Sequence, residues 1–246
     1  MHGTSAITAI TAQNTLGVSA VHQVPVEIVL AQVRAVLSDI HVDAVKVGML
    51  GTVDVVLAVA QAIDELPAGT AVVVDPVMVA ESGARLLAPD AQDALVQEIL
   101  PRTSVLTPNL PEALALAGEQ ACAETPAGED DARARALALA MLSLGPRAVV
   151  LTGGHRSRAV DLFVQDDGER SLVEIEGERH PDGAAHGSGC THSSLLAAQL
   201  ALGRTPLEAA RVARALAGAA VARGLRDIGG GAGPVDVMDL ARMRSC

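Results

Sequence analysis

The sequence predicts an α/β fold, a three-layer sandwich whose mostly parallel central sheet is flanked by helices. Short β-branched runs alternate with longer Ala- and Leu-rich stretches, which is the pattern of βα units. Half of the 246 residues are apolar, enough to build the core of one large α/β domain. No internal repeat, low-complexity tract or long linker divides the chain.

The strand-like runs fall at 5–10, 44–47, 71–74, 104–106 and 148–151. Two more, 160–164 and 172–175, flank Asp166-Asp167-Gly168 and predict a hairpin at a sheet edge. Helices are expected at 26–37, 52–66, 90–100, 112–117, 131–144, 191–202 and 207–223. The last carries the clearest punctuation. Thr205 is its N-cap, Pro206 opens the first turn, Glu208 completes a capping box and Gly224 follows the end. Gly145-Pro146 stops the preceding helix, and the acidic stretch 121–131 reads as a variable loop.

Composition narrows the function. Lys and Arg number 18 against 29 Asp and Glu, a net charge of −11, the wrong sign for nucleic acid. Trp and Tyr are absent and Phe163 is the one Phe, so base stacking on aromatic platforms is excluded too. Apolar windows such as 53–63 are broken, here by Asp54 and Gln61, well short of the ~20 residues of a membrane span. The start, Met1-His2-Gly3-Thr4, has no signal-peptide pattern. Three cysteines, Cys122, Cys190 and Cys246, show no CxxC spacing, which suits a reducing, cytoplasmic setting. Lys46 is the sole lysine beside 17 arginines. Cationic help for a phosphate must therefore come from Arg, Lys46, a metal or backbone N–H groups.

Several segments could carry chemistry. In His186-Gly187-Ser188-Gly189-Cys190-Thr191-His192, two glycines lead into an apolar helix. A helix start there aims N–H groups at an anion and should stabilise a thiolate at Cys190. The missing GK[ST] ending excludes a Walker A loop, and His192 stands where a dinucleotide fingerprint needs its third glycine. Asp75 follows an apolar strand, where open α/β sheets place ligand contacts. Asn109 and Glu112, also after a strand, could hold phosphate oxygens or a Mg²⁺-bound water, or simply cap a helix. Gln13, in the loop Thr11-Ala12-Gln13-Asn14-Thr15, pairs an acceptor with a donor and so matches the edge of an amino-heterocycle. Thr152-Gly153-Gly154-His155 and Gly229-Gly230-Gly231-Ala232-Gly233-Pro234 allow close backbone approach to a nucleotide, or are turns. His155, His186 and His192 lack carboxylate or Cys partners at ligand spacing and are not read as a metal site.

In this order, the segments resemble the hydroxymethylpyrimidine/phosphomethylpyrimidine kinases of thiamine biosynthesis, ribokinase-like enzymes. The matching residues are 5–15, Lys46-Val47-Gly48-Met49-Leu50, Asp75-Pro76-Val77-Met78, Thr107-Pro108-Asn109-Leu110-Pro111-Glu112, Gly153-Gly154-His155, His186–Thr191 and Gly231–Pro234. The resemblance implies a ribokinase-like fold over 1–246 and transfer of the ATP γ-phosphoryl group to an aminopyrimidine hydroxymethyl, then to its monophosphate. It implies Cys190 as the base, with Gly187 and Gly189 shaping the phosphoryl-binding turn. Gln13, Met49 and Val77 would contact the pyrimidine. Asn109, Glu112, Thr152, Gly154 and Gly189 would contact ATP, and Asp75 and Glu112 would hold Mg²⁺. A homodimer is also implied. The family opens with a further strand and glycine-rich loop, so relative to it this chain starts about one βα unit late. Thr152 and Gly230 stand where lysines are common. Pyridoxal or pyridoxine kinase, and a catalytically silent binding protein, are the alternatives.

Overall fold

The computed structural model describes residues 2–80, 83–118, 130–154, 159–168, 170–181 and 183–240. It opens with an antiparallel pair, β1 (Ala9–Gln13) and β2 (Val18–Gln23), which forms its own two-stranded sheet. The expected first strand is thus shifted to Ala9–Gln13 and stands apart from the central sheet, and β2 was not expected. The physical reason is exposure: most positions of both strands face solvent, so neither carries the continuous apolar run of a central strand.

After α1 (Val26–Leu37) come β3 (Ala44–Val47), α2 (Val53–Asp64), β4 (Ala71–Val74) and α3 (Pro89–Ala94). The helix expected at 90–100 is compound. It passes from α3 into a π-turn at Leu95–Ile99 and a 3₁₀ turn at Leu100–Arg102, where Pro101 cannot donate a helical hydrogen bond. Then follow β5 (Val105–Leu106), α4 (Leu110–Ala117), α5 (Asp130–Leu142), β6 (Ala148–Leu151), β7 (Val160–Gln165) and β8 (Leu172–Glu176). α6 (Ser188–Ala201) and α7 (Pro206–Ala222) complete the set.

The main sheet has the order β3-β4-β5-β6-β7-β8. β3 to β6 are parallel, and β7 and β8 return antiparallel at one edge, as the hairpin reading expected. Alternation along each strand builds the two faces. Val74, Leu106, Val149, Leu151 and Leu162 enter one core with residues of α2, α4 and α5. Val73, Val105, Val150 and Phe163 enter the other, under Leu196 of α6 and Ala209, Ala210 and Ala213 of α7. With so few aromatic rings, small residues let α6 and α7 pack closely. The loop 121–131 lies almost wholly outside the described residues, and His155, Cys122 and Cys246 lie outside them.

Leu162 is fully buried in the middle of β7. Leu162→Ala should lower unfolding free energy by about 3 kcal/mol, whereas Thr205→Ala, which removes the α7 capping box, should cost about 1 kcal/mol. Urea denaturation of the two variants measures both.

Candidate active site

Parallel strands deliver their loops to one edge of the sheet, and the polar side chains gather there. Asp75 directly follows β4; its N–H donates to Val47 O at 2.9 Å and its carboxylate is buried. Lys46 from the neighbouring β3 brings Nζ to 3.3 Å from Asp75 Oδ2. Ser193, fully buried in α6, donates its hydroxyl to the same oxygen at 3.0 Å. Gly48 lies beside them, and a Cβ there would come 2.7 Å from Lys46 Nζ, so a larger residue would displace the end of that side chain.

α6 begins earlier than expected. Gly187 is its N-cap, with φ of 81°, a left-handed conformation that favours glycine. Gly189 and Cys190 therefore lie inside the first turn, where N–H groups lack helical partners. Cys190 is accessible at the surface, yet its thiol does not behave as the helix-start argument expected. Partial burial of the thiol pushes its pKa above the ordinary value; Lys46 opposes this, while Asp75 and Glu112 add to it. The expectation of a stabilised thiolate is thus corrected: desolvation and two nearby carboxylates outweigh the helix start.

α4 shows the complete capping box. Glu112 N donates to Asn109 Oδ1 at 2.8 Å, and Asn109 N donates to Glu112 Oε2 at 2.9 Å. The capping role of both residues is therefore real, and it occupies one oxygen of each. Burial pushes the Glu112 carboxyl up to about 7; hydrogen bonds from the Asn109 and Met78 backbones and the Lys46 charge resist this, and Asp75 reinforces it. The next loop is tied alongside, as Thr152 N donates to Pro108 O at 2.9 Å and Thr152 Oγ1 to the same oxygen at 3.4 Å. Gly154 is exposed, with open space where a Cβ would stand.

Met49 and Val77 are half-buried at the ends of β3 and β4. The β1–β2 hairpin approaches from above, with Thr8 Oγ1 donating to Met49 O at 2.7 Å. Gln13 lies apart from that contact, exposed at the other end of β1 beside a bulge. There the hairpin tip meets the glycine-rich loop: Gly231 N donates to Thr15 Oγ1 at 3.4 Å, and a Cβ on Gly229 or Gly231 would overlap Thr15. That loop is fastened in turn to the start of α6, through His186 N to Gly233 O and Val235 N to His186 O.

Sequence reasoning named Lys46 only as a possible cation for a phosphate and missed its pairing with Asp75, and it missed Ser193 altogether. The solitary lysine at the end of a strand was the available signal for one. Ser193, one helical turn beyond Gly189, offered a weaker signal for the other. Among the described residues no group of three or more His, Cys, Asp and Glu is arranged to hold a metal.

A three-layer α/β frame with a glycine-led helix start facing acidic strand ends defines a ribokinase-like phosphotransferase. Solved structures agree. A pyridoxal kinase from Staphylococcus aureus, in complex with AMP-PCP and pyridoxal, superposes with a TM-score of 0.81 at 27% identity, covering 97% of this chain and 83% of that one. The phosphomethylpyrimidine kinase from Clostridium difficile gives 0.71 at 33% identity, covering 87% and 84%. The chain belongs to the phosphomethylpyrimidine kinase family, whose model matches residues 1–236. A hydroxymethylpyrimidine/phosphomethylpyrimidine kinase from Rhizobium meliloti is 44% identical over 96% of this chain and 85% of that protein.

Glu112 sets a pH-dependent stability. Its pKa is raised on folding, so the stability it permits is present below about pH 4.5 and falls as pH rises through about 7. Glu112→Gln keeps an N3 cap acceptor without the charge. The variant should unfold on the order of 2 kcal/mol harder than wild type at pH 8 and equally at pH 4, as measured by denaturation at the two pH values.

Proposed function

We propose that this enzyme phosphorylates 4-amino-5-hydroxymethyl-2-methylpyrimidine with ATP, and then its monophosphate to the diphosphate, for thiamine biosynthesis. The observation that carries the proposal is the placing of Cys190 on the first turn of α6, beside the Lys46–Asp75–Ser193 cluster and Glu112. Membership of the family and the identity to named pyrimidine kinases support the substrate.

In this reading Cys190 first releases its thiol proton to solvent; the substrate hydroxyl then attacks the γ-phosphorus in line, its proton passes to the Cys190 thiolate, and ADP leaves. Ser188 N already donates to Ala185 O at 2.9 Å, so the N–H groups of Gly189 and Cys190 are the first-turn donors that would hold the moving phosphoryl oxygens. The burial that raises the thiol pKa also makes the thiolate, once formed, a stronger base. Met49 and Val77 give apolar walls to the pyrimidine, and Gln13, on the hairpin, would read its amino edge. Asn109, Thr152, Gly154 and Gly189 face the ATP phosphates.

Asp75 and Glu112 fit a Mg²⁺ ion by donor chemistry, since both offer hard oxygens. Bound there, Mg²⁺ would offset charge on the transferring phosphoryl group.

The enzyme is proposed to be a cytoplasmic homodimer. No described helix is long and apolar enough to cross a membrane. The Ala-rich face of α7, which could have suited a dimer, is instead buried against the fold. Exposed Ile10, Leu16 and Val21 on the hairpin support a contact there, since a two-stranded sheet gains stability from a partner.

Pyridoxal is the competing substrate, because the S. aureus pyridoxal kinase superposes over nearly the whole chain. Coupled ATP turnover should appear with the hydroxymethylpyrimidine and its monophosphate, and should fall at least ~100-fold in Cys190→Ala. Turnover on pyridoxal alone would transfer the assignment to a vitamin B6 kinase. ATP and pyrimidine binding without turnover would make the chain a silent binding protein.

A further inference from the structure

β7 presents Val160, Leu162 and Val164 to one core and Asp161 and Phe163 to the other. Asp161 is thus a carboxylate at a position the strand pattern reserves for an apolar side chain, and it is 0% exposed. A buried carboxylate is costly unless its oxygens are bonded and its charge is countered. Its partners come from three separate elements. Oδ1 accepts the Gly153 N–H at 2.7 Å. Arg214 of α7 brings Nη1 to 3.7 Å from Oδ1, and its Nη2 donates to Ala159 O at 2.7 Å. His192 of α6 places Nε2 at 3.6 Å from Oδ2. Burial holds the His192 pKa below the ordinary imidazole value, against the Asp161 charge, so Arg214 is the countercharge.

The Gly153 bond is the informative one. Gly153 is buried so closely on β7 that a Cβ would overlap Val160 O. Thr152, one residue earlier, is tied to Pro108 O. The turn is therefore pinned on two sides, and Gly154, the next residue, is exposed. We propose that Asp161 is a positioning residue for the nucleotide: through the Gly153 N–H it fixes the 152–154 turn in the orientation that presents Gly154 to the ATP phosphates. The inference rests on the reading of that turn as a phosphate contact, and Asp161 itself touches no substrate.

The test compares Asp161→Asn and Asp161→Ala with wild type in the full chain. ADP affinity is measured by calorimetry, and KM is measured separately for ATP and the hydroxymethylpyrimidine. A charge-assisted hydrogen bond is worth on the order of tenfold in affinity. Asp161→Ala should weaken ADP and raise KM for ATP about tenfold, with KM for the pyrimidine within about twofold. Asp161→Asn keeps a carbonyl acceptor of the same shape and should lose about threefold. If the alanine variant does not fold, the asparagine variant carries the comparison. Unchanged ADP affinity in the folded variants overturns the inference while leaving the nucleotide reading intact. Parallel weakening of pyrimidine and ADP also overturns it, since that marks a purely structural residue. Failure of wild type to bind ADP removes the nucleotide reading and the inference together.

Discussion

The contact between Lys46 and Asp75 organises the site. It joins the ends of two adjacent parallel strands, and Ser193 brings α6 to the same carboxylate. An ion pair with restricted access to water is worth more than one on the surface, and leaving either partner alone there is expensive. The only lysine in the sequence is spent on this contact. Cys190 and Glu112 lie close enough to feel the Lys46 charge, which opposes the rise that burial imposes on both. The raised pKa values of Glu112 and Cys190 come first from burial, and the neighbouring carboxylates add to it.

The loops around this centre are fixed by backbone bonds rather than by bulky side chains. Pro108 O holds Thr152, Gly233 O holds His186 N, and Thr15 fits against the glycines at 229 and 231. A chain without Trp or Tyr cannot wall a pocket with large rings, so close backbone approach takes over that role. Each glycine at such a crossing is fixed by sterics as much as by flexibility.

Much of this was legible in the sequence. Strands 44–47, 71–74 and 148–151 and the helix at 26–37 are found at the expected bounds, because apolar runs and helical periodicity dominate locally there. The capping residues of α7 were equally readable, since capping is a contact between residues three apart. The hairpin β1–β2 was not, as its strands are stabilised by each other and by distant loops rather than by their own apolar pattern. The Lys46–Asp75–Ser193 cluster and the buried Asp161 join residues far apart in the chain, and sequence spacing has no reach over such separations. The pKa of Cys190 went against expectation for the same reason: the helix start is local and visible, while the carboxylates and packing that outweigh it arrive from other elements.

The hairpin that lies over the strand ends belongs to neither packed core. Substitutions there should leave the stability of the frame nearly untouched, so if the hairpin faces the ring of the substrate, as proposed, that part of the molecule can drift while the phosphoryl-transfer apparatus stays under constraint. An architecture divided in this way is evolvable in one direction. New heterocycles can be tried by altering a cover, with no need to rebuild the machine beneath it. The shared frame of pyrimidine and pyridoxal kinases is what such a division of labour would leave behind.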